Sequence, residues 1–203
     1  MNGAALRLTD VACLRGGRML FRGVDLKLEP GGGALLTGPN GVGKSSLLRV
    51  CAGLLPAFAG MVERSGDIAM SDERLALDME APLAKALDFW ARLDRAGPDR
   101  LAAALAAMAL TPLAQVPVRM LSTGQRKRAM LARVIASGAG IWLLDEPGNG
   151  LDTASLALLG RAVADHLAAG GIVVAASHQP LPIAAPVTLA LTDYRPDAVD
   201  QAA

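Results

Sequence analysis

A glycine-rich octapeptide, GPNGVGKS at residues 38–45, constrains the fold of this chain more than any other feature. It follows the apolar run ALLTG and precedes KSSLLRVCAGLL, whose apolar residues recur at helical spacing until Pro56. A strand, a glycine-rich turn and a helix in this order match the phosphate-loop pattern GxxxxGK[ST]. We therefore predict that the loop amides and the helix N-terminus bind phosphate groups. A chance glycine-rich turn is the alternative.

The loop also carries side chains suited to a nucleotide. Lys44 is expected to reach the β- and γ-phosphates, and Ser45 offers a hydroxyl group to Mg²⁺. The predicted nucleotide-binding residues of this segment are Gly38, Pro39, Asn40, Gly41, Val42, Gly43, Lys44, Ser45 and Ser46.

Two carboxylates follow a second apolar strand, in GIWLLDEP at residues 140–147. Ligands of doubly wound folds bind at the carboxyl edge of the sheet, where this strand delivers Asp145 and Glu146. We expect Asp145 to hold Mg²⁺, directly or through water, and Glu146 to orient or deprotonate the attacking water. A solvated turn after a core strand is the alternative.

A third apolar run, GIVVAASH at residues 171–178, ends in a histidine. Strands that end at one edge of a sheet converge, so we predict that His178 reaches the γ-phosphate. A lone histidine is more often structural, which is the alternative.

Repeated strand, loop and helix units with near-continuous apolar strands indicate a parallel α/β sheet. The alternating segments AALRL at 4–8 and VDLKL at 24–28 predict antiparallel edge strands. Residues 82–110 read as helical with a break at 96–99, and residues 60–80 give no clear pattern. The 203 residues suffice for one domain with a small inserted subdomain.

Composition excludes several function classes. The net charge of +1 provides no global field for nucleic acid or an anionic membrane. The most apolar stretch, residues 101–110, is shorter than the ~20 residues that a membrane-spanning helix needs. No membrane span is therefore expected. The N-terminal sequence MNGAALRLTD lacks a long apolar run, so no signal peptide is expected either. Cys13 and Cys51 belong to no CxxC pattern and are expected to be reduced and buried.

The stretch LSTGQ at residues 121–125 contains no nucleophile, base or metal ligand, although Ser122 can cap a helix that runs to about residue 136. Together with the phosphate loop and the two acids, it resembles the LSGGQ signature of ABC transporter nucleotide-binding domains, with Thr123 in place of a glycine. This resemblance covers essentially the whole chain. The alternative is an ordinary capped helix with a solvated basic face formed by Arg126, Lys127 and Arg128.

The resemblance implies a P-loop NTPase core with a parallel sheet, a small antiparallel β subdomain and an α-helical subdomain inserted at about 72–136, within one domain at 1–203. In that family two domains pair head to tail. The signature helix of each then points at the γ-phosphate held by the other. The resemblance therefore implies an active homodimer in which Ser122, Gly124 and Gln125 bind ATP in trans. It also implies that GNGLD at 148–152 touches the opposite subunit and that His178 is the switch histidine.

The sequence departs from the family at two positions. An aromatic residue commonly stacks on adenine, and Arg15 occupies that position here, with Phe21 as the alternative. A planar guanidinium can also stack on a base. The family further has a Gln between the phosphate loop and the helical subdomain. Residues 68–90 contain no Gln, and Glu73 and Arg74 are the nearest candidates.

Three segments, at 20–55, 86–94 and 170–181, resemble the ATP-binding subunit of the haem-handling complex of bacterial cytochrome c maturation, a branch of this family. That resemblance implies an ATPase using ATP and Mg²⁺, peripheral at the cytoplasmic face of the inner membrane. Its implied partners are CcmB-like and CcmC-like integral membrane subunits, and its implied task is release of a haem-loaded chaperone. One alternative is an exporter or importer ATPase with another cargo. A soluble ABC ATPase acting on DNA or the ribosome is disfavoured by the single domain and near-neutral charge.

Overall fold

A computed structural model of the chain describes residues 3–72 and 77–195. At its centre lies a five-stranded parallel sheet in the order β5-β6-β7-β3-β8. These strands are β3 (Gly33–Thr37), β5 (Ile68–Ser71), β6 (Ile141–Asp145), β7 (Ile172–Ala176) and β8 (Val187–Ala190). Every residue of β6 and β7 is buried, as expected for strands covered on both faces. The predicted parallel α/β core is therefore confirmed.

A second, three-stranded antiparallel sheet has the order β2-β1-β4, with β1 (Ala5–Arg15), β2 (Arg18–Leu28) and β4 (Ala59–Ser65). The prediction that residues 4–8 form an edge strand is wrong. Strand β4, from the stretch without a clear pattern, pairs with the free side of β1 and makes it central. The hairpin between β1 and β2 turns through Gly16 and Gly17, whose φ values of 58° and 76° suit a tight turn matched to the twist of the strands.

Five α-helices occur among the described residues. They are α1 (Lys44–Ala52), α2 (Leu83–Leu93), α3 (Pro98–Ala107), α4 (Thr123–Ser137) and α5 (Thr153–Ala168). Short 3₁₀ turns lie at Thr111–Leu113, Val118–Met120 and Leu191–Tyr194. Helix α1 ends before the predicted stop at Pro56, because Gly53 adopts a left-handed conformation with φ 76° and its amide caps the last turn.

The parallel sheet separates two hydrophobic cores. Alternate residues of β6 point to opposite faces. Ile141 and Leu143 pack in a core with α1 and the antiparallel sheet, whereas Trp142 and Leu144 pack in a core with helices α2 to α5. The sheet thus holds the carboxyl ends of β3, β5, β6 and β7 between two layers that are packed independently.

Glu73 and Arg74, the candidates for the missing Gln, lie outside the described residues. Cys13 and Cys51 are both free and buried, as predicted. Within 3–72 and 77–195, none of the helices combines the length and apolar character needed to cross a bilayer.

Candidate functional site

The glycine-rich loop joins β3 to α1 through backbone conformations that favour glycine. Gly38, Gly41 and Gly43 have φ values of 131°, 78° and 116°. A Cβ atom on Gly43 would lie 2.9 Å from the ring of Phe21, whereas Gly41 faces open space with nothing within 4 Å. The loop therefore packs against Phe21 on the side of Gly43 and is open on the side of Gly41.

Lys44 is the cation at the centre of this loop. Its side chain is 6% exposed, and its ammonium group donates hydrogen bonds to the carbonyl oxygens of Gly38 at 2.8 Å and Pro39 at 3.4 Å. The carboxylate of Glu146 is more distant, with Oε1 at 3.9 Å from Nζ. The loop thus holds a buried positive charge mainly through neutral carbonyls, which leaves it able to bind an anionic ligand.

A cavity of about 650 Å³ opens above the loop. Its lining contains nine residues that the sequence predicts for the site and three that it does not. The predicted ones are Arg15, Asn40, Gly41, Gly43, Lys44, Ser45, Ser46, Asp145 and Glu146, and the additional ones are Leu20, Arg49 and Asp72. Of the remaining loop residues, Gly38 and Pro39 accept hydrogen bonds from Lys44, and Val42 is buried at 3% exposure.

Parallel pairing brings the acids to the loop. Asp145 is level with Ala176 of β7, and Leu36 of β3 is level with the same residue, so the ends of three strands meet at one edge. Asp145 is 5% exposed. Its carboxylate and the hydroxyl of Ser45 line one cavity, and oxygen ligands of this kind suit Mg²⁺. The donor set and the glycine-rich loop therefore fit a magnesium-bound nucleotide.

Glu146 is held in an unusual backbone conformation. Its φ is 47°, in the left-handed region, and its amide donates to the carbonyl of Ala176 at 2.9 Å. Such strain in a non-glycine residue concentrates at functional sites. The side chain is 11% exposed and its Oε2 lies 3.0 Å from Nδ1 of His178, which is 48% exposed. The structure thus joins the two predicted catalytic side chains, although His178 does not itself line the cavity.

The hairpin between β1 and β2 carries Arg15 to the cavity. Arg15 is exposed and lines it, as predicted for a base-stacking residue. Phe21, the alternative, is completely buried behind Gly43 and cannot reach a ligand in the cavity. Leu20 offers apolar surface beside Arg15.

The signature stretch begins α4 with a complete capping box. The Ser122 hydroxyl accepts from the amide of Gln125 at 3.2 Å, and the Gln125 side chain accepts from the amide of Ser122 at 2.8 Å. A Cβ atom on Gly124 would lie 3.4 Å from the carbonyl oxygen of Gly150, so the 148–152 loop lies beside the start of the helix. Ser122, Gly124 and Gln125 do not line the cavity of their own chain.

The alternative of a solvated basic face on α4 is wrong. Arg126 donates to the carbonyl of Leu121 at 2.9 Å, and Arg128 donates to that of Met108 at 2.8 Å. Lys127 is only 9% exposed. Arg126 thus binds back to the signature segment, and Arg128 ties α4 to the end of α3.

Comparison with known proteins places these features in one family. The sequence model described as ABC transporter matches residues 21–149. The protein named cytochrome c biogenesis ATP-binding export protein CcmA from Novosphingobium aromaticivorans is 55% identical over 196 residues, which are 97% of this chain and 100% of the relative. Its namesake from Zymomonas mobilis is 52% identical and aligns with 95% of this chain and 87% of its own.

A solved structure supports the fold. An ABC transporter ATP-binding protein from Pyrococcus furiosus superposes with a TM-score of 0.84 over 95% of this chain and 100% of its own, at 22% identity. That likeness concerns the architecture alone.

Proposed function

This chain belongs to the ABC transporter family, in its CcmA branch of cytochrome c biogenesis ATP-binding export proteins, and we propose that it hydrolyses ATP in the cavity above residues 38–45. The chain is an ATP-binding subunit whose ATPase activity is coupled to transport. The observation that carries the site assignment is the convergence of Lys44, Asp145 and Glu146 on one cavity of about 650 Å³.

In the proposed binding mode, the triphosphate lies along the glycine-rich loop. The loop amides and the N-terminus of α1 donate to its oxygens, and Lys44 turns from the Gly38 carbonyl towards the β- and γ-phosphates. Ser46 also lines the cavity. Arg15 and Leu20 form the far wall, where a planar guanidinium can stack on the base.

In the proposed hydrolysis step, Glu146 orients a water molecule and accepts its proton. His178, beside Glu146 Oε2, keeps that carboxylate aimed into the cavity and reaches towards the γ-phosphate. Ser45 and Asp145 would hold Mg²⁺, which when bound neutralises charge on the β- and γ-phosphates. Lys44 stabilises the charge that develops on the transferred phosphoryl group.

We further propose that the site is completed by a second copy of the chain. Ser122, Gly124 and Gln125 lie at an accessible helix N-terminus but outside the cavity of their own chain. Backbone amides at such a terminus bind phosphate well. The Ser122 hydroxyl uses an oxygen lone pair to cap the helix, so its proton remains available to a γ-phosphate in trans.

The chain acts with integral membrane partners of the cytochrome c maturation system. We propose that these are CcmB-like and CcmC-like subunits, that the chain is peripheral at the cytoplasmic face of the inner membrane, and that the coupled event is release of a haem-loaded chaperone. The helical subdomain carries a mostly apolar groove of about 360 Å³, where a partner helix would dock. Its lining residues are Ala81, Ala86, Phe89 and Trp90, together with the charged Asp78 and Lys85. A different cargo remains the second candidate.

The site assignment is tested by replacing Lys44 in the purified, partner-bound complex. Lys44→Ala should lower Mg-ATP turnover by about 100-fold or more, in line with the loss of one transition-state donor. Lys27→Ala is the matched control, because Lys27 is exposed, pairs with Glu29 at 2.8 Å and does not line the cavity. Unchanged turnover in Lys44→Ala would refute the site.

The partner assignment needs a separate experiment. Affinity purification of the tagged chain from detergent-solubilised native membranes should recover CcmB-like and CcmC-like polypeptides, identified by mass spectrometry. Recovery of the permease of another transporter instead would favour the second candidate. Phe89→Asp, which places a charge in the groove, should reduce the recovery while leaving soluble expression intact.

A further inference from the structure

The hydroxyl group of Ser177 closes a tight turn around His178. It accepts a hydrogen bond from the backbone amide of Gln179 at 3.0 Å and donates one to the carbonyl oxygen of the same residue at 2.8 Å. Ser177 is only 2% exposed, whereas His178 and Gln179 are exposed. A buried side chain therefore holds both backbone groups of the residue that follows the histidine.

The peptide group that joins Ala176 to Ser177 is itself tied to two strands of the site. Its carbonyl oxygen accepts from the amide of Glu146 at 2.9 Å, and its N–H group donates to the carbonyl of Leu36, near the end of β3, at 3.1 Å. Strand β3 leads directly into the phosphate loop, and Glu146 directly follows β6. The Ser177 side chain thus starts from a point that is fixed relative to both the loop and Glu146.

The His178 side chain depends on this turn for its position. It is 48% exposed, so few neighbours hold it, and its Nδ1 lies 3.0 Å from Oε2 of Glu146. Within residues 3–72 and 77–195, that buried Oε2 atom has no well-aligned hydrogen-bond donor. The nearby imidazole is therefore the group that can orient the carboxylate, provided that the turn keeps the ring in place.

Loss of the Ser177 hydroxyl should disturb this geometry more than it disturbs folding. The backbone groups of Gln179 belong to an exposed residue and can exchange the hydroxyl for water, so the net contribution of these hydrogen bonds to stability is small. A displacement of a catalytic group by about 1 Å, in contrast, can lower a rate by about 100-fold.

We propose that Ser177 is a positioning residue for ATP hydrolysis, which holds His178 against Glu146 by closing the turn at residues 177–179. Ser177 does not line the nucleotide cavity, so it acts through His178 and makes no contact with ATP. The inference rests on the roles proposed above for Glu146 and His178.

The kinetic test compares the parent, Ser177→Ala, His178→Ala and the double variant in the purified, partner-bound complex. Ser177→Ala should lower kcat by about 10-fold or more and leave the KM for ATP close to the parental value, because the phosphate loop is unchanged. In the His178→Ala background, Ser177→Ala should have no further effect, because the residue through which it acts is gone. Ser177→Thr, which keeps the hydroxyl, should retain kcat within about twofold of the parent.

Ser137→Ala is the matched control, because Ser137 closes a comparable turn at the end of α4. Its hydroxyl donates to the carbonyl of Val134 at 2.7 Å and accepts from the amide of Ala139 at 3.1 Å, and it does not line the cavity. This variant should keep the parental kcat and KM.

NMR signals of the imidazole rings provide a readout that does not depend on turnover. The full chain has two histidines, so His178→Ala identifies the signals of His178. Ser177→Ala should shift these signals, whereas Ser137→Ala should leave them unchanged.

Three results would overturn the inference. They are parental kcat in Ser177→Ala, unchanged His178 signals in that variant, and an equal loss of kcat in the parental and His178→Ala backgrounds. If Ser177→Ala does not fold, Ser177→Cys fills the same position with a weak donor and should show the same changes. Parental turnover in His178→Ala would instead overturn the role proposed for His178.

Discussion

Glu146 combines three features that the catalytic assignment requires. It follows a fully buried strand, it has a left-handed φ of 47°, and its carboxylate lies 3.0 Å from His178. The strained backbone turns the side chain towards the loop, so that Oε1 lies 3.9 Å from Nζ of Lys44.

Glu146→Gln should therefore bind ATP and fail to hydrolyse it. The amide preserves the shape of the side chain but cannot accept a proton from water. We expect turnover to fall by about 100-fold or more, with a stable ATP-bound dimer in size-exclusion chromatography. Glu29→Gln, at an exposed pair with Lys27, is the control. A Glu146→Gln monomer with normal turnover would show that the base is another residue.

Arg15 should contribute to nucleotide affinity without selecting the base. Stacking uses the π-face that all bases share, so Arg15→Ala should weaken ATP and GTP alike by about 1–3 kcal/mol, and Arg15→Tyr should restore most of the affinity. Arg18→Ala is the matched control, because Arg18 pairs with Arg15 across the hairpin but does not line the cavity. Equal affinity in Arg15→Ala and the parent, measured by calorimetry, would exclude stacking on Arg15.

At the scale of secondary-structure elements, features that depend on neighbouring residues were predictable from the sequence. Features that depend on pairing with distant residues were not. The phosphate loop and the Ser122 cap depend on neighbours in the sequence, and both predictions of local structure are confirmed. Strand β5 has only four residues, too few for a period to show. Its position depends on pairing with β6, whose partner residues lie 73 positions later in the sequence. Asp72 was missed for that reason.

The burial of the basic residues of α4 could not be predicted for the same reason. Three consecutive cationic residues in a sequence indicate a solvated helix face. In the structure, however, Arg128 donates a hydrogen bond to the carbonyl of Met108 at the end of α3. Only tertiary packing supplies such an acceptor. The boundaries of the helical subdomain and the roles of the site residues remain predictions.

Helix α5 contains a histidine whose titration should affect stability. The His166 ring stacks on Trp142 with centroids 3.8 Å apart, and its Nε2 lies 3.3 Å from the carbonyl of Ile172. Burial lowers the pKa of His166 below its ordinary value of 6.5. The unfolded chain therefore binds a proton more readily, and His166 loses its contribution to stability as the pH falls from about 6.5 through the lower folded pKa.

His166→Phe keeps an aromatic ring on Trp142 and removes the titration. Urea unfolding at several values between about pH 8 and pH 5 should show a smaller loss of stability on acidification for the variant than for the parent. The variant also loses the contact with the Ile172 carbonyl, so its stability at high pH is not the relevant measure. Identical pH slopes would mean that His166 is not buried in its neutral form.

At the scale of the whole molecule, the proposed function requires two chains to complete each site. The cavity with Lys44 and Glu146 lies between the sheet edge and the antiparallel sheet, whereas Ser122 lies at the start of α4 and outside that cavity. In this arrangement Ser122 does not line the phosphate cavity of its own chain. The proposed dimer resolves this separation, because each loop faces the signature helix of the other chain.

Mixed dimers test this claim most directly. A chain with Ser122→Arg and a chain with Lys44→Ala each form homodimers in which both sites are damaged. In the mixed dimer both lesions fall on one site, because Lys44 of one chain faces Ser122 of the other, and the second site is intact.

The measurement is the ATPase rate of the 1:1 mixture compared with the two separate variants. The control places both lesions in one chain and mixes it with the parent, which damages both sites of every mixed dimer. We predict that mixing the single variants restores hydrolysis and that dilution below the dimer Kd removes it. The control mixture should be less active than the same amount of parent chain alone, because only parent homodimers keep intact sites. A mixture no more active than its two components, or parental activity in Ser122→Arg alone, would contradict a site completed in trans.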